Sequence, residues 1–481
     1  MTVELIGVIT LVVGILSIFR PPTFIIYAFA CSSLLGAAAA FNLDSLGGLS
    51  IQPVHFLLGF LFFRLLGERD IRKKALEALE PGRPGFWLAL TVISSLITAF
   101  FMPRLFQGQT LVFAVRATIY GFVPLEPTTS NVTQSVYFIA DATCFLVMSG
   151  YAATRDGIKV MLNVVLVVAI TNLTFAALDL LTYFTNSTAI FSIIRNANYN
   201  LLVETELAGF KRIVGAFVEA SSFGGCTLGY FAFTGRLWLL GYRPRLTLTL
   251  SSLSLGATLF ATSTTAYVGL AGLLAFAYLE LVIRAMMRPL TRQMLIFLVG
   301  LPLALALITI FIALSESYSE YVQNLLDIFL LNKLSSSSGL ERSAWNQHAL
   351  QSFFDTFGFG FGNGSGRASS FPIAVLASLG LFGTALFSLF FLSLFFSSHR
   401  GATLDPVEDV ARQGAKYMCL AWLISGSVSD PLIELGPAFY FFAALACANG
   451  APKYSPSFAL SAKLRSSQAY DRSAASESGM T

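Results

Sequence analysis

The chain is 481 residues long, 55% hydrophobic and only 12% charged, with a formal net charge of +4 and a mean hydropathy of +0.72. A soluble domain carries roughly 25% charged residues, and single soluble cores stop growing at roughly 250–300 residues, so a water-soluble globule is excluded for want of polar surface. So small a charge excess gives no nucleic-acid footprint, and the composition predicts an all-α polytopic membrane protein whose first partner is the lipid bilayer.

Taken in chain order, apolar runs predict spans at 5–19, 23–41, 51–66, 85–102, 134–153, 160–184, 214–235, 246–262, 266–283, 293–314, 372–396, 414–428 and 437–450. Each is near the length that crosses a hydrocarbon core of roughly 30 Å, which makes 12–13 transmembrane helices in one domain over residues 1–450. Connectors 67–84, 154–159, 236–245, 284–292, 397–413 and the tail fall on one side of the membrane. With Arg20, Arg64 and Lys416 they gather 22 of the 30 Lys and Arg residues. The positive-inside rule makes that side cytoplasmic, leaving the N-terminus outside and the C-terminus inside. No basic segment precedes the first apolar run, so residues 1–20 are expected in the mature chain. The Ser/Ala-rich tail 451–481 reads as disordered. Cys31, Cys144, Cys226, Cys419 and Cys447 all fall in apolar runs without metal-ligand spacing, which suits small packing residues.

The longest connectors, 103–133, 185–213 and 315–371, all lie outside, and long loops within a compact body are commonly functional. The first, with Pro103, Pro124 and Pro127, reads as a rigid excursion along the interface; it leads into the sequon Asn131-Val132-Thr133. The second ends at Arg195, Lys211 and Arg212, followed by Glu219, which the pattern places about two turns inside a span. A spacing of seven would put Arg212 and Glu219 on one helix face. They then form either a structural ion-pair system or one wall of a polar pocket, since carboxylates within spans face partners or wet cavities.

In the third loop, ERSAWNQHALQSFFDTF (341–357) has helical periodicity. Trp345, Ala349, Leu350, Phe353, Phe354 and Phe357 share one face and Glu341, His348 and Asp355 the other, which predicts an amphipathic helix at the interface. Arg342, in its first turn, is either a snorkelling anchor or a ligand-binding group. His348 is either a solvated residue or a base. The alternating glycines of GFGFGNGSGR (358–367) fit a flexible link or, with Arg367, an anion cradle of backbone N–H groups.

The sequence has no DxD, HExxH or GxSxG, and His55, His348 and His399 are far apart, which leaves no His-based metal site and no expected cofactor. What remains is a set of external arginines with one or two carboxylates. Guanidinium binds phosphate bidentately, so the expected ligand is a phosphate or pyrophosphate reached from the outer leaflet.

The segments KRIVGAFVEAS (211–221), ATSTTAYVGL (261–270) and ERSAWNQHALQSFFDTFGFGFGNGSGRASS (341–370) resemble the O-antigen polymerase and O-antigen ligase superfamily, as does the order of the long outer loops. The resemblance covers residues 195–390 in detail and the rest by topology. It implies a GT-C-like helical fold in the bacterial inner membrane. It also implies an inverting, metal-independent glycosyltransferase acting on undecaprenyl-pyrophosphate-linked oligosaccharide at the periplasmic face. By position Arg212 and Arg342 would contact the pyrophosphate. The loops themselves offer Arg195, Lys211 and Arg367 as further binding residues, and Glu219, then His348, as the group that orients an arginine or accepts the hydroxyl proton. Two departures bear on the branch: Ser263-Thr264-Thr265-Ala266 lacks the family's arginine, and Arg367-Ala368-Ser369-Ser370 stands where the ligase branch has His-Asn. The leading expectation is therefore a repeat-unit polymerase extending a surface polysaccharide or exopolysaccharide. Its partners would be the growing polysaccharide and a chain-length regulator or flippase. The alternatives are a ligase joining finished glycan to an outer-leaflet acceptor, and a lipid-oligosaccharide flippase or other transporter. The flippase would need charges along a path, for which Asp141, Asp179, Glu219 and Glu280 are the span residues available.

Overall fold

The computed structural model describes residues 2–43, 49–115, 121–198, 201–204, 206–207, 210–314, 319–320, 323, 337–396 and 405–448. Arg116, Lys333, most of 315–336 and the whole tail 451–481 lie outside the described residues.

A helix occupies part or all of each of the predicted apolar runs: α1 Leu5–Phe19, α2 Pro22–Ser32, α3 Pro53–Leu66, α5 Pro84–Leu105, α6 Thr129–Ala152, α7 Gly157–Phe184, α8 Ala220–Leu239, α9 Pro244–Phe260, α10 Thr264–Met287, α11 Arg292–Ala313, α13 Phe371–Phe396, α14 Pro406–Ser429 and α15 Gly436–Ala446. Two further helices, α4 Arg69–Glu77 and α12 Ser337–Asp355, lie between them. Among the described residues, six helices (α5, α6, α7, α10, α11 and α13) are long and apolar enough to cross a membrane. Many of the helices start where the sequence dictates. Proline opens α2, α3, α5, α9 and α14, where its fixed φ fits and its missing N–H has no partner to lose. Reciprocal capping boxes, Thr128 with Asn131 and Asp405 with Glu408, start α6 and α14.

The bundle packs α8 between α9 and α14, α5 against α13, and α6 against α15. Its centre is a chain of aromatic contacts: Phe138 meets Phe387 at 5.7 Å, Phe145 meets Phe390 at 5.5 Å, and Phe138 meets Tyr440 at 6.4 Å. Small residues let helices close up where no hydrophobic drive operates in lipid: a Cβ on Gly229 of α8 would collide with the Trp422 indole of α14. A buried network ties α8, α10 and α14 together at their other end. There the Arg236 guanidinium donates to both Glu280 oxygens at 2.8 and 2.9 Å and to Gln413 at 2.9 Å.

Three sequence expectations change. The run 23–41 is helical only to Ser32, where the Ser32 and Ser33 hydroxyls fold back on the carbonyls of Phe29 and Ala30. Residues 41–43 form a strand, β2, between β1 (2–3) and β3 (49–51). The run 214–235 begins as extended chain, and its helix starts only at Ala220. The cause is Asp179 of α7, whose carboxylate accepts the N–H groups of Val214 at 2.8 Å and Gly215 at 3.1 Å and holds them out of a helix. Arg212 and Glu219 therefore share no helix face. The first outer connector contains a hairpin of β4 Leu111–Phe113 with β5 Phe122–Pro124, and α12 packs on it. A last pair, β6 Glu206–Leu207 with β7 Phe210–Lys211, closes the second loop.

The glycine-rich stretch is neither a loose link nor an anion cradle. Residues 360–366 are buried, and Gly358, Gly360, Gly362 and Gly364 adopt φ of 80°, 82°, 90° and 83°. This strap threads between α5, α6 and α13. Phe361 N–H donates to Ala377 at 2.8 Å, and Leu381 N–H donates to Gly358 at 2.9 Å. Gly380, at φ 67° and ψ −175°, breaks α13 at that point, and a Cβ there would strike the Phe359 carbonyl. Asn131 donates to the Asn363 carbonyl at 2.7 Å and to Ser365 at 2.8 Å and is 6% exposed, so the sequon is closed off inside the protein.

Candidate functional site

One end of the bundle, away from the Arg236–Glu280 network, holds a cavity of about 660 Å³. Its walls are helix ends. Gln52 and Val54 open α3, Glu219, Ser221 and Ser222 open α8, Thr265 opens α10, and Ser369 precedes α13. Helix N-termini carry unpaired N–H groups and the positive end of the dipole, so several facing one space favour an anion there. A fifth element, α12, contributes Glu341, Arg342 and Trp345.

The floor is made by a connector that descends into the bundle. α15 is only 11 residues long, and the Cys144 thiol reaches the carbonyl of Pro437, at its start, at 3.7 Å. Cys144 lies well down α6 from Thr129, about 22 Å along the axis at roughly 1.5 Å per residue. Residues 430–435 therefore run as irregular backbone alongside the outer half of α6. Within a membrane such backbone is tolerated only against protein or a water-filled cavity, and Asp430, Pro431 and Leu435 line the cavity here.

The predicted residues divide into two groups. Glu219, Arg342 and Arg367 all line the cavity. Arg342 is half-buried, and among the described residues no hydrogen bond or ion pair engages its guanidinium. Its side chain is available to a ligand. Arg367 places its guanidinium carbon 4.6 Å from the ring centres of both Phe113 and Trp345, a cation–π seat that fixes it in the wall. Glu219 is the residue before α8 rather than a residue inside a span, and it accepts a hydrogen bond from Ser221. Arg212 stands behind Glu219, outside the lining, and donates to the Thr262 hydroxyl at 3.1 Å and carbonyl at 3.2 Å. Burial pulls its guanidinium below the ordinary value, and the Glu219 carboxylate opposes that shift.

The other residues are committed elsewhere. Arg195 pairs with Asp179 at 2.6 Å, donates to the Gly215 carbonyl and stacks over Phe191 at 4.1 Å. Lys211 donates to the carbonyls of Val203 at 2.6 Å and Arg212 at 2.8 Å, 3.7 Å from the same Asp179. Burial is the larger influence on Lys211 and lowers its ammonium pKa; Asp179 counters it. Both cations hold the 179–215 junction together. His348 is not among the cavity-lining residues; its ring lies on Phe122 of the hairpin at 3.8 Å. The predicted apolar face of α12 is only partly turned into the bundle. Ala349, Ser352 and Thr356 are buried, whereas Phe354 and Phe357 are 68% and 80% exposed.

Sequence reasoning passed over Asp430 and Glu434. Burial pushes the Asp430 carboxyl up to about 6, which keeps part of it protonated near neutral pH. The available signal was two carboxylates in a connector too short to be a domain, ending in the helix-starting pair Gly436-Pro437. The chain matches no known protein family, no characterised protein and no solved structure.

Proposed function

We propose that the protein is a repeat-unit polymerase of the O-antigen polymerase and ligase superfamily. It has a GT-C-like arrangement in the bacterial inner membrane, with the N-terminus and the cavity periplasmic and the C-terminus cytoplasmic. The observation that carries this reading is the Arg342 guanidinium, unpaired among the described residues, in the wall of a cavity shared with Glu219 and Arg367 and ringed by helix N-termini.

In this reading an undecaprenyl pyrophosphate-linked glycan places its diphosphate against Arg342. Arg367, fixed between two rings, supplies a second positive charge. A hydroxyl of the incoming repeat unit attacks the anomeric carbon, the glycosyl–oxygen bond to the diphosphate breaks, and configuration inverts. The hydroxyl proton passes to Glu219, to which Ser221 donates a hydrogen bond at the mouth of α8, and from there to water. Arginine donors aimed at the charge forming on the departing diphosphate lower the barrier, and one such donor is worth about 10²–10³ in rate in other enzymes. Metal ions have no role in this scheme.

The test is a deletion strain carrying Arg342→Ala. Single repeat units on the lipid carrier should accumulate at the outer leaflet, with polymer nearly abolished. Polymer of normal length would overturn the assignment. Inner-leaflet accumulation would favour a flippase, and normal but unattached glycan a ligase.

A further inference from the structure

Beneath the cavity lies a second group of polar side chains with no part in that reaction. Asp141, midway along α6, is 2% exposed and receives a hydrogen bond from the backbone N–H of Gly436 at the start of α15. Glu434, two residues earlier in the descending connector, interacts with it electrostatically. The Gln134 amide of α6, in the orientation that satisfies both its ends, donates to both Glu434 oxygens. The Tyr440 hydroxyl of α15 is within electrostatic range of both carboxylates. It is fully buried, and among the described residues it has no hydrogen-bond partner.

Two like charges cannot both persist there uncompensated. Among the described residues neither carboxylate forms an ion pair with Lys, Arg or His. The other facing groups supply no positive charge either. Cys144 of α6 lies beside Asp141, and Asp430 begins the same connector. On α3, His55 stacks on Tyr137 at 4.9 Å. The charges of α4 are remote, because that helix meets α6 at Gly150, towards the opposite end. Asp141 is buried and Glu434 half-buried; an ionised carboxylate buried without a counter-charge is costly, so such a group takes up a cation or a proton. A discontinuous helix end and unwound backbone at membrane depth form the setting in which membrane proteins hold small cations.

We propose that Asp141 and Glu434, with the Tyr440 hydroxyl, form a binding site for one monovalent cation, Na⁺ or a proton, in the floor of the cavity. The cation neutralises the pair and holds the 430–435 connector against α6. Because Gly436 both donates to Asp141 and lines the cavity, occupancy of the site sets the shape of the cavity floor. The inference is independent of the polymerase reading, since it concerns binding rather than turnover.

The experiment is infrared difference spectroscopy of the purified full chain in lipid nanodiscs, comparing NaCl with choline chloride across neutral pH. With a proton as occupant, a carboxylic-acid band is present, shifts in D₂O and ignores Na⁺. With Na⁺ as occupant, carboxylate bands shift when Na⁺ replaces choline. In either case the signal is lost in Asp141→Asn and reduced in Glu434→Gln, both near-isosteric. A wild-type spectrum without a protonated carboxyl and without a response to Na⁺ overturns the proposal, as does a signal that survives in both variants. Should a variant fail to fold, Asp430→Asn removes the other carboxyl that is protonated near neutral pH, and the band and Na⁺ response that remain decide.

Discussion

The Arg212 guanidinium grips Thr262 at two points, the hydroxyl at 3.1 Å and the carbonyl at 3.2 Å, and Thr262 is held at a φ of +46°. A β-branched residue is a genuine outlier in that region, and the left-handed conformation costs it about 1–2 kcal/mol. The arginine offsets the strain with hydrogen bonds from a charged group, each worth about 1.5–3 kcal/mol. Arg212 thus acts on the cavity by fixing the α9–α10 turn and by standing behind Glu219.

Arg212→Ala should therefore do two things at once: lower thermal stability and impair polymer formation. Thr262→Gly separates them. Glycine accepts the left-handed φ without strain and keeps the carbonyl contact, so stability should fall by less than in Arg212→Ala and polymer length should stay near normal. Thermal unfolding in detergent, with lipid-linked oligosaccharide profiles from the same strains, checks both. A Thr262→Gly protein as damaged as Arg212→Ala would show that the hydroxyl, not the backbone turn, is what Arg212 needs.

The buried strap predicts a graded series. At Gly362 a Cβ would lie 2.5 Å from the Thr98 carbonyl, at Gly360 2.7 Å from that of Ala377, and at Gly364 closer still to that of Ser130. These are backbone atoms of packed helices and have nowhere to go. Gly82 has the same positive φ, 82°, with nothing within 4 Å. Gly82→Ala should lose only the conformational term, about 1–2 kcal/mol. The strap substitutions add overpacking, typically about 1–3 kcal/mol, and Gly364→Ala should be the worst. Unfolding temperatures of the four variants give the order directly.

The bilayer is why so much of the bundle could be read from the sequence. A fixed hydrocarbon thickness imposes run length, and each apolar run holds a helix. The exceptions are places where a partner distant in sequence overrides local pattern. The seven-residue spacing of Arg212 and Glu219 looks helical until Asp179, on another helix, captures the N–H groups of Val214 and Gly215. The alternating glycines fit a cradle, a link or a strap equally well. Only the carbonyls of Thr98, Ser130 and Ala377 decide among them. The α12 faces were assigned by apolarity, but the neighbours are a hairpin and a glycine strap that accept small residues, so Ser352 and Thr356 turn inward and Phe354 and Phe357 outward. In the site, Arg342 and Glu219 were legible as residue types at a loop–helix junction, whereas the descending connector was not. Its carboxylates look like ordinary loop residues unless the short length of α15 is known.

Asp430 gives the cavity a pH response. Burial raises its carboxyl from the ordinary range to about 6, so the folded state holds that proton more tightly than the unfolded chain. Its contribution to stability is complete below the ordinary carboxylate pKa and is lost as pH rises through about 6. Wild-type unfolding temperature should therefore fall between about pH 4 and pH 6, with Asp430→Asn flattening that part of the profile. An unchanged slope in Asp430→Asn would assign the titration to another group.

Arg195 and Arg342 are both arginines of the long connectors, but the structure uses them differently, and a paired experiment separates the uses. Arg195 is 7% exposed at its side chain and bonded to an Asp179 that is 1% exposed. Breaking such a pair leaves a buried charge uncompensated and costs about 3–5 kcal/mol. Arg195→Ala should accordingly unfold at markedly lower temperature and reach the membrane in reduced amount, with function lost in proportion to protein. Among the described residues Arg342 makes no hydrogen bond or ion pair, so Arg342→Ala should match wild type in unfolding temperature and abundance while polymer disappears. Normalising polymer to membrane-embedded protein makes the contrast quantitative: activity per molecule survives in Arg195→Ala and falls about 10²–10³-fold in Arg342→Ala. The reverse pattern, with Arg342→Ala unstable and Arg195→Ala inactive at full abundance, would move the ligand to the Asp179 junction and out of the cavity.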